Sequence, residues 1–306
     1  MNQNSFDLIP HVVINPSTIV TYSEVIWNKP HSRQSLPESF IKSKRTSQGQ
    51  VSNIAHRKIT KAVEYLTTVA HQKKVYEKVT MKYITFKVAF VTLTLPSQQI
   101  HDDKTILNTC LNSLLNEIRQ YYYVKNYIWR AETQYNGNIH FHLIIDQYIP
   151  WYELRNRWNR IINKLGYVDR FYEKFAHYTP NSIDIHSTRK IKNLKNYLSK
   201  YMGKNATHTY KGRPLEGPER SMTGRLWGCN YELSNCRGFN TEVDSEIASE
   251  LTKILSDSKI RKHESVYFTV YYVDYKTFRK VGSNLLFKYF SDYLFEKLGF
   301  SEQLTF

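Results

Sequence analysis

The segment Gly137-Asn138-Ile139-His140-Phe141-His142-Leu143-Ile144-Ile145-Asp146 constrains the fold most tightly. Its β-branched and aromatic residues favour an extended strand. Strand side chains alternate faces, so His140 and His142 share one face while Phe141, Leu143 and Ile145 share the other. Such a strand belongs in a sheet with a packed core on one side and imidazoles on the other. Paired imidazoles are also a ready pair of metal ligands. Taken alone, the pair equally suits a surface ladder. Asn136-Gly137 signals a tight turn, and residues 127–132 before it read as a strand, so a hairpin is predicted. It sets Glu132 across the turn from the histidines as a third ligand. Two nitrogens and one oxygen suit Mg²⁺ or Mn²⁺, with imidazole favouring Mn²⁺. Asp146 and His186 are weaker ligand candidates.

The flanking pattern places this hairpin. Residues 1–50 read as irregular, broken by Pro10, Pro16, Pro30 and Pro37. Apolar positions from Ile54 to Ala70 predict a basic helix within 51–79. Residues 83–95 read as a strand ended by Pro96. The stripe from Ile106 to Ile118 predicts a helix, as does the run from Pro150 to Gly166. Residues 182–186 read as a strand and 190–204 as a helix. Towards the C-terminus, 267–275 reads as a strand and 285–298 as an aromatic helix. The central order β-α-β-β-α-β-α predicts an α+β sandwich with an antiparallel sheet flanked by helices. Three segments are expected: a basic, partly irregular and helical extension over 1–80, a central domain over 81–230, and a C-terminal α/β extension over 231–306.

A second element gives the histidines a purpose. Tyr197-Leu198-Ser199-Lys200-Tyr201-Met202-Gly203-Lys204 holds two Tyr-x-x-Lys steps in tandem. Residues four apart share a helix face, so Tyr197 and Tyr201 line up, as do Lys200 and Lys204. A phenol with a pKa near 10 is a weak nucleophile at neutral pH. A nearby lysine cation would favour the phenolate or hold a phosphate. The chain has 24 tyrosines, so these two also fit an ordinary amphipathic helix. Charge points to a polyanionic partner. The 306 residues carry a net +16, and ten Lys or Arg against two acids fall between 189 and 225. Arg189, Lys190, Lys192, Lys195 and Arg225 are candidate DNA contacts. Tyr121, Tyr122, Tyr123, Tyr127 and Trp129 either stack on unpaired bases or fill the core.

Taken together, these motifs resemble the HUH endonucleases, in particular the two-tyrosine rolling-circle replication initiators of small single-stranded DNA phages and plasmids. Residues 90–95, Phe-Val-Thr-Leu-Thr-Leu, are similar to the family's first motif. His140-Phe141-His142 is similar to its His-hydrophobic-His motif, and 197–204 to its two-tyrosine motif. Gly224-Arg225-Leu226-Trp227-Gly228 resembles an element found after the tyrosine helix. The resemblance covers roughly residues 85–230. It implies a metal-dependent nuclease in which Glu132, His140 and His142 hold a divalent ion. One tyrosine would then attack an origin strand, keep its 5′ end as a phosphotyrosine and free a 3′-OH. The second tyrosine would cut again so that the strand rejoins. Tyr197 is the preferred first nucleophile because single-tyrosine relatives keep one Tyr-x-x-Lys.

No G-x-x-x-x-G-K-[ST] phosphate loop occurs, so a host helicase, polymerase and single-strand-binding protein are the expected partners. No apolar run approaches the roughly 18 residues of a membrane span. Cys110, Cys229 and Cys236 lack a CxxC spacing, which fits a reduced, cytoplasmic setting in a bacterial host. Two other readings remain open here. One is a transposase or plasmid relaxase using the same chemistry. The other is a non-enzymatic single-stranded nucleic-acid-binding module.

Overall fold

A computed structural model describes residues 6–27, 49–134, 136–186, 188, 193–203, 209–210, 213–214, 221–258, 260–281 and 284–299. The fold is α+β, and its sheets are antiparallel. Contacts gather the chain into two units, Thr46–Ser234 and a second made of Met1–Arg45 with Asn235–Phe306. These limits differ from the three expected segments. The helix Asn53–Val69 packs on the helix Leu194–Gly203 and so belongs with the central unit. The sequence displays that helix's apolar stripe but not the surface that covers it.

The central unit is built on a five-stranded sheet. Its order runs Trp227–Cys229, Tyr127–Thr133, Ile139–Ile145, Ala89–Leu93, Ile183–His186. The histidine strand is therefore the middle one. Register fixes what each face carries. His142 lies opposite Arg130 and Thr92, and His140 lies opposite Glu132. Phe90 lies opposite Ile144 and His186. All of these share the histidine face.

The opposite face is the main core. Phe141 meets the rings of Trp129 and Trp158 edge-on, each at 6.3 Å. Trp158 comes from the helix Trp151–Asn163, is fully buried, and donates its indole N–H to Thr94 O at 2.8 Å. That helix begins after Pro150, as predicted. The predicted 106–118 stripe lies on a helical run comprising Asp103–Thr105, a π-helical turn Ile106–Leu111, and Asn112–Tyr122. Its buried residues are Ile106, Leu107, Cys110, Leu111, Leu114, Leu115 and Ile118.

Three expectations need correction. Residues 83–95 are not one strand: Lys82–Phe86 pairs with Lys73–Glu77 as a separate hairpin, and Ala89–Leu93 joins the main sheet. The 51–79 region accordingly splits into the helix Asn53–Val69 and the strand Lys73–Glu77. The N-terminal segment is not irregular over 6–27. Phe6–Asn15 and Thr18–Trp27 form a hairpin of two ten-residue strands. Pro16 sits in its two-residue turn, where a fixed φ is an asset, and Pro10 is accommodated within the first strand.

In the second unit this hairpin is the centre of another sheet. Its order is Phe239–Glu242, Phe6–Asn15, Thr18–Trp27, Phe268–Tyr271, Lys262–Glu264. Val12, Ile14 and Ile19 are fully buried, and the helix Ser245–Asp257 packs on the first strand. The predicted C-terminal strand is shorter than 267–275, because Tyr275 opens the helix Tyr275–Val281. The helix Asn284–Leu298 matches the one expected over 285–298.

Trp158→Ala removes a fully buried indole from the centre of the core. It should lower the stability of the central unit by about 3–5 kcal/mol, measured by urea unfolding followed by tryptophan fluorescence.

Candidate metal centre and tyrosine helix

The hairpin expected from Asn136-Gly137 forms, although its connection spans residues 134–138 rather than two residues. Gly137 takes a left-handed φ of +80°, which glycine adopts without steric cost. Gln134 and Asn138 close the loop backbone at 2.8 Å. Side chains then anchor the start of the histidine strand. The buried Asn138 accepts from Gln99 N and donates to Ser97 O. Gln99 Oε1 accepts from Ile139 N at 2.6 Å, and Gln99 also donates to the buried Asp103. Asp103 in turn accepts from Thr223 N at 3.0 Å. This polar network was not read from the sequence, because its members are scattered over more than a hundred residues.

At the centre, Glu132 Oε1 lies 2.8 Å from His140 Nε2 and 2.7 Å from His142 Nε2, and the two nitrogens are 3.1 Å apart. Among the described residues, this is the one group of three or more His, Cys, Asp or Glu whose ligand atoms converge. The geometry suits a cation. Right-angled ligands about 2.1 Å from an ion lie about 3.0 Å apart, the spacing of one face of an octahedron. Two facing imidazole nitrogens otherwise have to share a proton between lone pairs. The triad is thus able to hold a divalent metal of the Mg²⁺ or Mn²⁺ class. Burial pushes the Glu132 carboxyl up, but the hydrogen bonds and charges of His140 and His142 outweigh it. They hold the group well below the usual carboxylate range.

Surrounding groups orient the ligands. Thr92 Oγ1 lies 3.2 Å from His142 Nδ1. An Nδ1–H aimed at that oxygen leaves the Nε2 lone pair free for a metal. Arg130 was absent from the predicted site. It is buried on the same face, with Nε 3.9 Å from Glu132 Oε2. Its guanidinium also donates to Met202 O at 2.9 Å, at the end of the tyrosine helix. The signal was available in strand alternation, since residues 130, 132, 140 and 142 fall on one face. A buried arginine beside a candidate ligand is a positioning group.

The helix Leu194–Gly203 carries Tyr197, Lys200 and Tyr201 on the histidine side of the sheet. Phe90 joins the two parts. Its ring stacks on His142 at 5.4 Å and meets Tyr197 at 6.3 Å and Tyr201 at 5.8 Å. The two tyrosine rings are 4.6 Å apart. Partial burial and the neighbouring Tyr201 raise the pKa of Tyr197 above the usual phenol value, while Tyr201 is 41% exposed. Lys200 is exposed.

The remaining candidates separate. Lys195 is engaged with Glu64 of the helix Asn53–Val69 at 3.1 Å. Arg225 lies over the Trp129 ring at 5.8 Å and donates to Trp227 O. Gly228 allows close packing on the same indole, because a Cβ there would lie 2.8 Å from the Trp129 nitrogen. Asp146 is remote from the triad and accepts from Asn126 and Lys125. His186 packs on Phe90 and pairs with Asp184 rather than joining the triad. Tyr121 and Tyr123 are exposed, Trp129 is buried, and Tyr122 donates to Glu153 at 2.5 Å. Arg189, Lys190, Lys192 and Lys204 lie outside the described residues.

The stretch holding the threonine strand, Glu132, the histidine strand and the tyrosine helix has a counterpart elsewhere. Residues 88–206 match the family model of the replication-associated protein ORF2. The match supports a protein of DNA replication initiation and agrees with the charge-based expectation of a nucleic-acid partner. Searches of curated proteins and of solved structures return no match. Among the described residues, no helix is long and apolar enough to cross a membrane.

Two outcomes test this geometry. Thr92→Val keeps the side-chain shape but removes the hydroxyl, and should weaken Mn²⁺ binding about 10- to 100-fold by calorimetry. Arg130→Met strands Glu132 Oε2 and Met202 O, and should cost about 3 kcal/mol in chemical denaturation.

Proposed function

We propose that this protein nicks and rejoins one DNA strand at a replication origin, as a two-tyrosine initiator of the HUH type. The observation that carries the reading is the convergence of Glu132, His140 and His142 beside Phe90, whose ring also touches both tyrosines. A divalent metal held by the triad would polarise the scissile phosphate and offset its charge in the transition state. The chain's own residues do the rest. One tyrosine Oη attacks phosphorus and forms the Tyr–O–P ester. The P–O3′ bond breaks, and the departing 3′ oxygen takes a proton to become a 3′-OH. The phenolic proton leaves the attacking oxygen in the same step. The ester bond energy is conserved, so rejoining by the 3′-OH needs no ATP.

The packing suits two alternating nucleophiles. Tyr197 and Tyr201 share one helix face beside one Phe90, so either phenol reaches the region in front of the triad by modest rotation. The raised pKa of Tyr197 means that its hydroxyl has to lose a proton to a neighbour or to water during attack. Arg130 and Phe90 serve as positioning residues that keep the helix and the triad in register. Lys200 supplies an exposed cation on the tyrosine helix for the DNA backbone, and Lys204, Arg189, Lys190 and Lys192 extend the same basic stretch in sequence. The free 3′-OH would prime a host polymerase, with unwinding by a host helicase and the displaced strand covered by a host single-strand-binding protein.

Incubation of the protein with Mn²⁺ and single-stranded fragments tiled across its own replicon should yield a covalent protein–DNA adduct. Peptide mapping should place it on Tyr197 or Tyr201 and so reveal the order of attack. An adduct that persists in the Tyr197→Phe/Tyr201→Phe protein would refute the assignment. His140→Ala should abolish cleavage while DNA binding remains. Retained cleavage would remove the metal role, and binding without any adduct would favour a non-enzymatic module.

A further inference from the structure

A cavity of about 510 Å³ lies at the outer edge of the central sheet, beside the strand Ile183–His186. The nicking reading leaves it unused. It falls within the size range of small-ligand sites. Trp151, Tyr148, Arg155, Asn181, Asp184 and Glu77 contribute to its lining. The Arg155 guanidinium sits over the Trp151 ring at 4.8 Å, while Arg155 Nε is buried without a hydrogen-bond partner. Trp151 is 41% exposed. Asp184 pairs with His186 at 3.3 Å and is otherwise exposed.

Position links the cavity to the triad. Asp184 lies opposite Thr92, and Thr92 lies opposite His142. Adjacent strands are about 4.8 Å apart, so Asp184 and His142 are about 10 Å apart across the sheet. Asp184 and His186 belong to the histidine face, and His186 packs on Phe90. A single strand lying across that face from the triad reaches the cavity with a neighbouring nucleotide.

We propose that this cavity takes one unpaired base of the strand being cut, and that it selects guanine. The inference rests on the nicking reading for its substrate. Two carboxylates in the lining exclude a phosphate but accept N–H donors from a neutral base. Guanine offers its N1–H and N2–H edge to a carboxylate such as Asp184, while O6 and N7 accept from a guanidinium such as Arg155. Trp151 supplies a ring for stacking. The unpaired outer edge of Ile183–His186 alone would equally suit a peptide strand. The aromatic, cationic and anionic side chains gathered in one cavity favour a base.

Fluorescence anisotropy with the full chain carrying Tyr197→Phe and Tyr201→Phe, in the absence of metal, tests this without requiring cleavage. The probes are dT20 and dT20 with one central dG, dA or dC. The dG strand should bind about tenfold more tightly than the other three. Asp184→Asn and Arg155→Gln should each bring that ratio close to one, with each variant's own dT20 affinity as reference. Equal affinity for all four strands overturns the guanine pocket, the result a peptide-binding edge would give, and leaves the adduct experiment to judge nicking separately. Failure to bind any strand overturns both readings. A photocrosslink from dT20 containing one 6-thioguanine covers the case in which the variants do not fold. Crosslinks within 148–155 or 181–186 support the pocket, and crosslinks confined elsewhere overturn it.

Discussion

The carboxylate of Glu132 is the constraint on which the site depends. One oxygen faces two imidazole nitrogens and the other faces a buried guanidinium, so a single side chain is shared among three partners. Removing an acid from water is costly unless its charge is met. Here the cost is offset by groups that are themselves fixed by strand pairing. Arg130 passes the constraint on, because the same guanidinium holds a carbonyl in the last turn of the tyrosine helix. A metal ligand, its counter-charge and the helix bearing the nucleophiles thus form one connected set.

Phe90 plays the complementary apolar part. An aromatic residue on the otherwise polar face of the sheet gives the tyrosine helix something to pack against beside the histidines. Without an apolar platform, a helix carrying lysines and tyrosines has little reason to settle over a charged triad. The same platform reaches His186 and so ties the edge strand into the site. Chemistry and packing therefore compete for one face, and the register of Ala89–Leu93 settles the competition by alternating Phe90 with Val91 and placing Thr92 next to His142.

Much of this was legible in local sequence. Alternation in 139–145 reveals both the core face and the histidine pair, and a glycine after asparagine announces the hairpin that delivers Glu132. These signals are short-ranged, and the physics behind them acts between neighbours. Arg130 shows where such reading stops: its place on the histidine face could be counted, but its contact with Met202 depends on a helix about seventy residues away. The N-terminal hairpin failed for a different reason. Proline was taken as a breaker, whereas Pro16 occupies a turn and β-branched residues continue on both sides. Lys195 and Arg225 illustrate a third limit, since composition counts charges without showing which are already engaged by Glu64 or Trp129.

The second unit is assembled from both ends of the chain, with the nuclease-like unit inserted between them. The hairpin Phe6–Trp27 is made first, yet its neighbours Phe239–Glu242 and Phe268–Tyr271 follow roughly two hundred residues later. At about 5–20 residues per second, ribosomal synthesis separates these partners by on the order of 10 s or more. Throughout that interval the hairpin has two unpaired edges and an uncovered apolar face, whereas the inserted unit already has every strand of its sheet. Order of synthesis thus gives the inserted unit a head start in folding. The early hairpin is the segment most in need of protection from aggregation while the chain is being made.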